Sequence, residues 1–209
     1  MDVHAPHEPI HSWRDAMLHL AIVTVGLFIA LSLEAFVEHL HNRHLVSEAR
    51  ANIREELQIN HEAAQKDITL VQQNMDTIKA NITTLHRLQS DPNNFHGSLN
   101  NTMNFDSLND AAWRTARDTG ALSFMPYDEI QRDSDLYMIE NLVNQKAVST
   151  GEQTVRAEIP TLMGYDIDKI PPAEINQMLR DNAATEIDLL TLKQFLIQLD
   201  QQLVTELKQ

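Results

Sequence analysis

The stretch LQINHEAAQKDITLVQQNMDTIKANITTL, residues 57–85, decides the fold. Leu57, Ala64, Val71, Ile78 and Leu85 recur every seven residues, Ile68, Met75 and Ile82 hold the companion position, and His61 is the one polar residue there. Such a pattern lays an apolar seam along one helix face and calls for a second helix to cover it. The flanking positions are Gln58, Gln65, Gln72 and Lys79 on one side and Asn60, Asp67, Asn74 and Asn81 on the other. These are not paired opposite charges, so nothing specifies a parallel dimer, and packing against helices of the same chain is at least as well supported.

Toward the N-terminus no Gly or Pro interrupts the chain between Gly26 and Pro92, which predicts a long helix over about 38–90. Ahead of it, AMLHLAIVTVGLFIALSL, residues 16–33, contains no Asp, Glu, Lys or Arg. Eighteen helical residues rise about 27 Å, close to the roughly 30 Å of a bilayer core. Trp13 stands where an interfacial aromatic is expected, and Phe36 and Val37 lengthen the apolar surface. A transmembrane helix over 16–37 is the expectation. A cleaved signal peptide fits less well, because the run is long and passes into the helical EAFVEHLHNRHLVSEAR, residues 34–50. Gly26 and Ala30 form a small pair on one face where a second membrane helix can approach closely. Residues 1–15 read as a flexible tail that carries His4, His7 and His11 and contains Pro6 and Pro9.

Toward the C-terminus, Ser90 to Asn94 and Gly97 to Asn101 form a breaker cluster, giving a loop over about 91–105. A short helix follows over about 106–118, capped by Asp106 or Ser107, with Gly120 just past its end. Pro126, Asp128 and Glu129 open another helix, over about 126–150, and Pro172 with Glu174 opens a last one over about 172–208. That last helix carries Ile175, Met178, Leu189, Leu192, Leu196, Leu199 and Leu203, widened by Leu190, Ile197 and Val204. A face so wide predicts burial in a bundle with the helix that begins near Leu45. The fold class is therefore all-α: a single N-terminal transmembrane helix continuing into an antiparallel helical bundle or coiled-coil domain over 38–209.

The formal net charge of −14 excludes a nucleic-acid surface, which needs clustered Lys and Arg. The absence of cysteine removes disulfides, thiolate nucleophiles and thiolate metal sites together. No phosphate loop, nucleophile elbow or HExxH motif is present, so the chain reads as non-enzymatic and without a cofactor. One metal-ligand pattern stands out. Glu34, Glu38, His41, His44 and Glu48 lie three or four residues apart along one helical face, and carboxylate with imidazole suits zinc, manganese or iron. One helix alone does not complete such a site, and a solvated juxtamembrane face is the plainer reading. Trp113 and Tyr137 are candidates for packing or interaction.

Residues 22–33, IVTVGLFIALSL, followed by Glu34, Val37, Glu38 and Arg43 and by Glu55, Glu56, Leu57 and Asn60, resemble the start of a bacterial membrane-anchored domain-of-unknown-function family. Its members carry a VGILIAL-type anchor, a charged exit and a coiled helical region. The segment AAWRTARDTGALSFMPYDEIQRDSDLY, residues 111–137, is similar to the Trp, Gly-x-Leu and Tyr pattern placed after that region, here Trp113, Gly120, Leu122 and Tyr137. Where many members show Asn-Trp-Asn-Glu at the exit, this chain has Glu34, Ala35 and Phe36 nearby. The resemblance implies architecture and a bacterial inner-membrane location, with the domain in the periplasm, and transfers no functional residue. Counting charges points the other way, since Arg43, Arg50 and Arg54 follow the span while Arg14 precedes it. The functional expectation is a membrane-tethered module that binds a protein partner or itself; the alternatives are a membrane-anchored sensor or regulator, and a metal-binding protein using the Glu and His stripe.

Overall fold

The computed structural model describes residues 12–100 and 102–208, and the regular elements among them are all helical. They are α1 (Trp13–Ser90), α2 (Ala111–Asp118), α3 (Tyr127–Ala157), α4 (Ile159–Leu162) and α5 (Pro172–Glu206), with short 3₁₀ turns at Pro92–Asn94, Ala121–Phe124 and Ile167–Lys169. The tail histidines His4, His7 and His11 lie outside the described residues. The chain divides into two units, one ending at Glu48 and the other Ala49–Gln209, and α1 contributes to both.

In the first unit the apolar residues of α1 are exposed on every side, from Leu18 and Ile22 through Phe28, Ile29 and Leu33 to Val37. This helix is long and apolar enough to cross a membrane. Its two hydroxyl side chains there are already satisfied: Thr24 donates to the Leu20 carbonyl and Ser32 to that of Phe28, each at 2.7 Å. Back-bonding of this kind lets Ser and Thr sit in an apolar stretch without an unpaired donor.

The second unit is a bundle of the remainder of α1 with α3 and α5. Each helix buries positions three and four residues apart. In α5 these are Ile175, Met178, Asn182, Thr185, Leu189, Leu192, Leu196, Leu199 and Leu203. In α3 they include Asp133, Leu136, Glu140, Val143, Thr150, Thr154 and Ala157. In α1, Leu57, Ala64, Val71, Ile78 and Leu85 are buried as the seam predicts. Cross-links set the directions. Arg54 donates to the Leu207 carbonyl, Lys193 to Gln72 and Gln89 to Asn176, so α1 and α5 are antiparallel. Gln153 donates to Asp181, and Lys146 to Asp188, so α3 and α5 are antiparallel too. Arg50 meets Glu129, and Asn60 meets Glu140, so α1 and α3 run in the same direction. His61, the polar member of the α1 seam, faces α5, where its Nδ1 lies 2.9 Å from Asp200 Oδ1.

One expectation fails for a packing reason. Leu190 and Ile197, predicted to widen the buried face of α5, remain exposed. Both neighbours of α5 sit against its inner series of leucines, and among the described residues no element covers its other flank.

Parallel α1 and α3 leave a groove between them, and the described residues of the 95–110 segment from Asn100 to Asn109 run along it. Asn60, Asp67, Asn74 and Asn81, all buried, hold the backbone of that segment from the α1 side. Asn60 donates to the Asn109 carbonyl at 2.7 Å and accepts from the Asn109 amide at 2.8 Å. Asp67 accepts from the Asp106 amide at 2.9 Å, and Asn74 donates to the Asn104 carbonyl at 3.3 Å. Asn81 repeats the paired arrangement with Asn100, at 2.7 and 2.9 Å. From the α3 side Asn144 pairs in the same two-bond way with Leu108. The spacing is metrical. Three heptads of α1 rise about 32 Å, and the nine residue steps from Asn100 to Asn109 span about 30 Å when extended. A heptad-spaced amide stripe thus stands in for the second strand that an extended backbone normally needs.

The helix predicted from Asp106 therefore opens only at Ala111, because 106–109 are engaged along α1 and α3. Its cap comes from another helix: Glu56 of α1 accepts the amides of Ala112 at 2.8 Å and Trp113 at 3.4 Å. Neither Asp106 nor Ser107 caps it. Gly120 follows with φ of 78°, a left-handed turn that a side chain would strain. α3 continues past the expected end near Gly151 to Ala157, since Thr150, Thr154 and Ala157 prolong its buried series.

Replacing Asn60 by Ala strands the Asn109 amide and carbonyl and the Glu140 carboxyl. The expected loss is roughly 2–4 kcal/mol of unfolding free energy, measured by denaturant titration of the full chain in mild detergent. Gln58→Ala, which removes only a contact with Glu62 on the exposed face, is expected to change stability by less than about 0.5 kcal/mol.

Candidate functional site

Where the 95–110 segment turns into α2, side chains from three elements meet beneath it. Glu56 and Asn60 come from α1, Trp113 from α2, and Tyr137 and Glu140 from α3. Tyr137 donates its hydroxyl to Glu56 Oε1 at 2.7 Å, so Glu56 takes three donors in all. The rings of Trp113 and Tyr137 stack with centroids 5.2 Å apart and planes 20° from parallel. These are the two residues the sequence singles out for packing or interaction, and the structure brings them together.

Glu140 is the unusual member. It is 2 % exposed, its Oε1 accepts from Asn60 Nδ2 at 2.9 Å, and its Oε2 is buried without a hydrogen-bonding partner. Burial pushes its carboxyl up to about 8, with Glu56 and Asp110 adding to the rise and the Asn60 bond opposing it. Burial, and then the bond to Glu56, also raises the Tyr137 hydroxyl above its ordinary value. A rise of this direction favours the protonated form of Glu140 at a pH where most carboxyls are ionised. A cleft of about 520 Å³ opens above it, bounded by Asp110, Trp113, Arg117, Ser134, Tyr137 and Glu140 among others.

No family model, curated protein or solved structure matches this chain.

A second charged cluster lies at the end of the bundle where α1 enters it. Arg50 grips Glu129 with two bonds of 2.7 and 2.6 Å, and Arg132 bonds Asp128 at 3.1 Å and approaches Glu206 at 3.6 Å. Among them Asp133, 5 % exposed, is pushed up to about 6 by burial, with Glu206 and Glu129 adding and Arg132 and Arg50 opposing.

The other residues marked by the sequence fall elsewhere. Glu34, Glu38, His41, His44 and Glu48 are exposed on α1. His44 and Glu48 form a pair at 3.3 Å, and among the described residues no three His, Asp or Glu side chains gather as a metal would need. Gly26 and Ala30 lie on the exposed apolar surface of α1, and nothing stands within 4 Å of where a Gly26 Cβ would be.

Sequence reasoning missed Glu56, Asn60, Asp133 and Glu140. The signal was present in their spacing. Asp133 and Glu140 occupy positions of the three-and-four series in α3 that an apolar residue would ordinarily fill, and Asn60 opens the heptad run of Asn and Asp in α1.

Both raised carboxyls make the folded state bind protons more tightly than the unfolded chain. Stability from these groups is therefore greatest at low pH and declines as pH rises, from about 4 to about 6 for Asp133 and from about 4.5 to about 8 for Glu140. Thermal unfolding of the full chain is expected to show this decline, and Glu140→Gln is expected to flatten the portion above pH 6 while Asp133→Asn flattens the lower portion.

Proposed function

We propose that the chain is a membrane-tethered helical interaction module that docks a helix of a partner, or of a second copy, on the outer flank of α5. The observation that carries this reading is a second seam on that helix. Ala183, Leu190, Ile197 and Val204 recur every seven residues, with Ile187, Gln194 and Gln201 in the companion positions. Ile187, Leu190 and Ile197 are 65 %, 46 % and 39 % exposed. An apolar series at helical spacing facing water is unfavourable in isolation and is the surface a further helix packs onto.

Membrane attachment rests on the exposed apolar face of α1, which in a bilayer loses the cost of contact with water. The resemblance of residues 22–33 to bacterial anchors supports a single pass through the inner membrane with the bundle in the periplasm.

Two measurements test the reading. Cross-linked native membranes, solubilised mildly, are expected to yield a defined complex containing the chain, and Leu190→Glu with Ile197→Glu is expected to dissolve it without loss of helicity. A monomer in the cross-linked membranes contradicts the proposal. Because the chain has no cysteine, Gln58→Cys provides a single reactive site on the bundle. An impermeant maleimide is expected to label it in cells with a permeabilised outer membrane; labelling only after lysis would place the bundle in the cytoplasm.

A further inference from the structure

We infer that the occupant of the outer α5 flank is a second copy of this chain, its α5 lying parallel and in register, with Gln194 and Gln201 each meeting its own counterpart. The inference rests on the docking reading above and names the partner.

Charge narrows the choice first. The chain carries a formal net charge of −14, yet the strip that runs from Ala183 through Ile187, Leu190, Gln194, Ile197 and Gln201 to Val204 holds no charged residue over about 32 Å. Two copies of so acidic a chain repel one another, and a strip free of charge is where they can touch without opposing like charges. The edges of the strip agree. On one edge Ala184, Thr191, Gln198 and Thr205 are uncharged. The hydroxyls of Thr191 and Thr205 donate to the Ile187 and Gln201 carbonyls at 3.0 and 2.8 Å, so covering them strands no donor. On the other edge Glu186, Lys193 and Asp200 are engaged inside the bundle, with Lys79 at 3.8 Å, Gln72 at 2.7 Å and His61 at 2.9 Å. A parallel helix pair brings these two edges together, each charged position facing one five residues on in the other copy. Glu186 then faces Thr191, Lys193 faces Gln198 and Asp200 faces Thr205, so no like charges oppose.

The glutamines set the direction. Gln194 and Gln201 are exposed within the apolar strip, and among the described residues their side chains make no hydrogen bond. A carboxamide covered by aliphatic side chains costs an unmet donor and acceptor. In a parallel, in-register pair each glutamine meets its counterpart, and a carboxamide both donates and accepts. A polar residue in such a seam fixes register and oligomeric state. An antiparallel pair sets Gln194 against Leu190 and Gln201 against Ala183 and loses that match. Two chains anchored in one bilayer by the same helix also present α5 in the same direction.

Cysteine pairing in native membranes tests this, because the chain has no cysteine of its own. Ala183→Cys and Val204→Cys lie at opposite ends of the strip. Each alone is expected to give a disulfide-linked dimer on mild oxidation, while Gln58→Cys on α1 gives none. Adding Leu190→Glu with Ile197→Glu, both at exposed positions, is expected to lower the cross-linked fraction at least about tenfold with helicity unchanged by circular dichroism. Cross-linking only when the two cysteine variants are expressed together reports an antiparallel pair and overturns the proposal. Equal cross-linking of Gln58→Cys reports collision alone and overturns it too, as does the absence of any cross-link from either end. In that last case, a defined complex that Leu190→Glu with Ile197→Glu still dissolves leaves the docking reading standing with a different protein on the flank. If no such complex forms, that reading falls as well.

Discussion

An extended backbone laid along helices, with no strand beside it, must have its amides and carbonyls met by side chains, and everything distinctive about this bundle follows from how that is done. α1 and α3 run parallel, which leaves a groove that a third helix does not fill. The chain returns through it as the 95–110 segment, and Asn60, Asp67, Asn74 and Asn81 meet its peptide groups at heptad intervals. Each Asn amide can both donate and accept, which is why Asn60, Asn81 and Asn144 can pair with one residue through two bonds, as a neighbouring strand would. Apolar residues at those positions would pack the groove and leave the peptide groups unmet.

The same segment assembles the acidic centre. By delivering Ala112 and Trp113 to Glu56, it anchors α2, and α2 in turn stacks Trp113 on Tyr137. Asn60 serves both structures, holding Asn109 with one face and Glu140 with the other. One side chain thus holds both the segment and the Glu140 carboxyl. The exposed apolar flank of α5 is independent of this arrangement, since Ile187, Leu190 and Ile197 face away from α1 and α3.

The all-helical class, the long first helix and the apolar seam of α1 were legible in the sequence, because periodicity of Leu57 to Leu85 depends only on which face is buried. So was the pairing of α5 with α1. The ladder was not, because Asn60, Asp67, Asn74 and Asn81 look like solvated flanking residues when their partner is an extended chain with no periodicity of its own. The start of α2 was misplaced for the same reason: its cap is Glu56, more than fifty residues earlier, whereas local capping rules consider only Asp106 and Ser107. Trp113 and Tyr137 were recognisable as residues that must pack, but their joint site depends on the parallel approach of α1 and α3, which no local signal encodes. Leu190 and Ile197 looked like core because apolar spacing alone does not say whether a face is covered within the chain or by something else.

Hydrogen exchange resolved at single residues tests the central claim most directly. If side chains of α1 and α3 hold the 95–110 segment, the amides of Asn100, Asp106, Leu108 and Asn109 exchange as slowly as those in the middle of α3, although they belong to no helix, and Asn60→Ala releases Asn109 selectively. Exchange of these four amides at the rate of an unstructured chain would contradict the account.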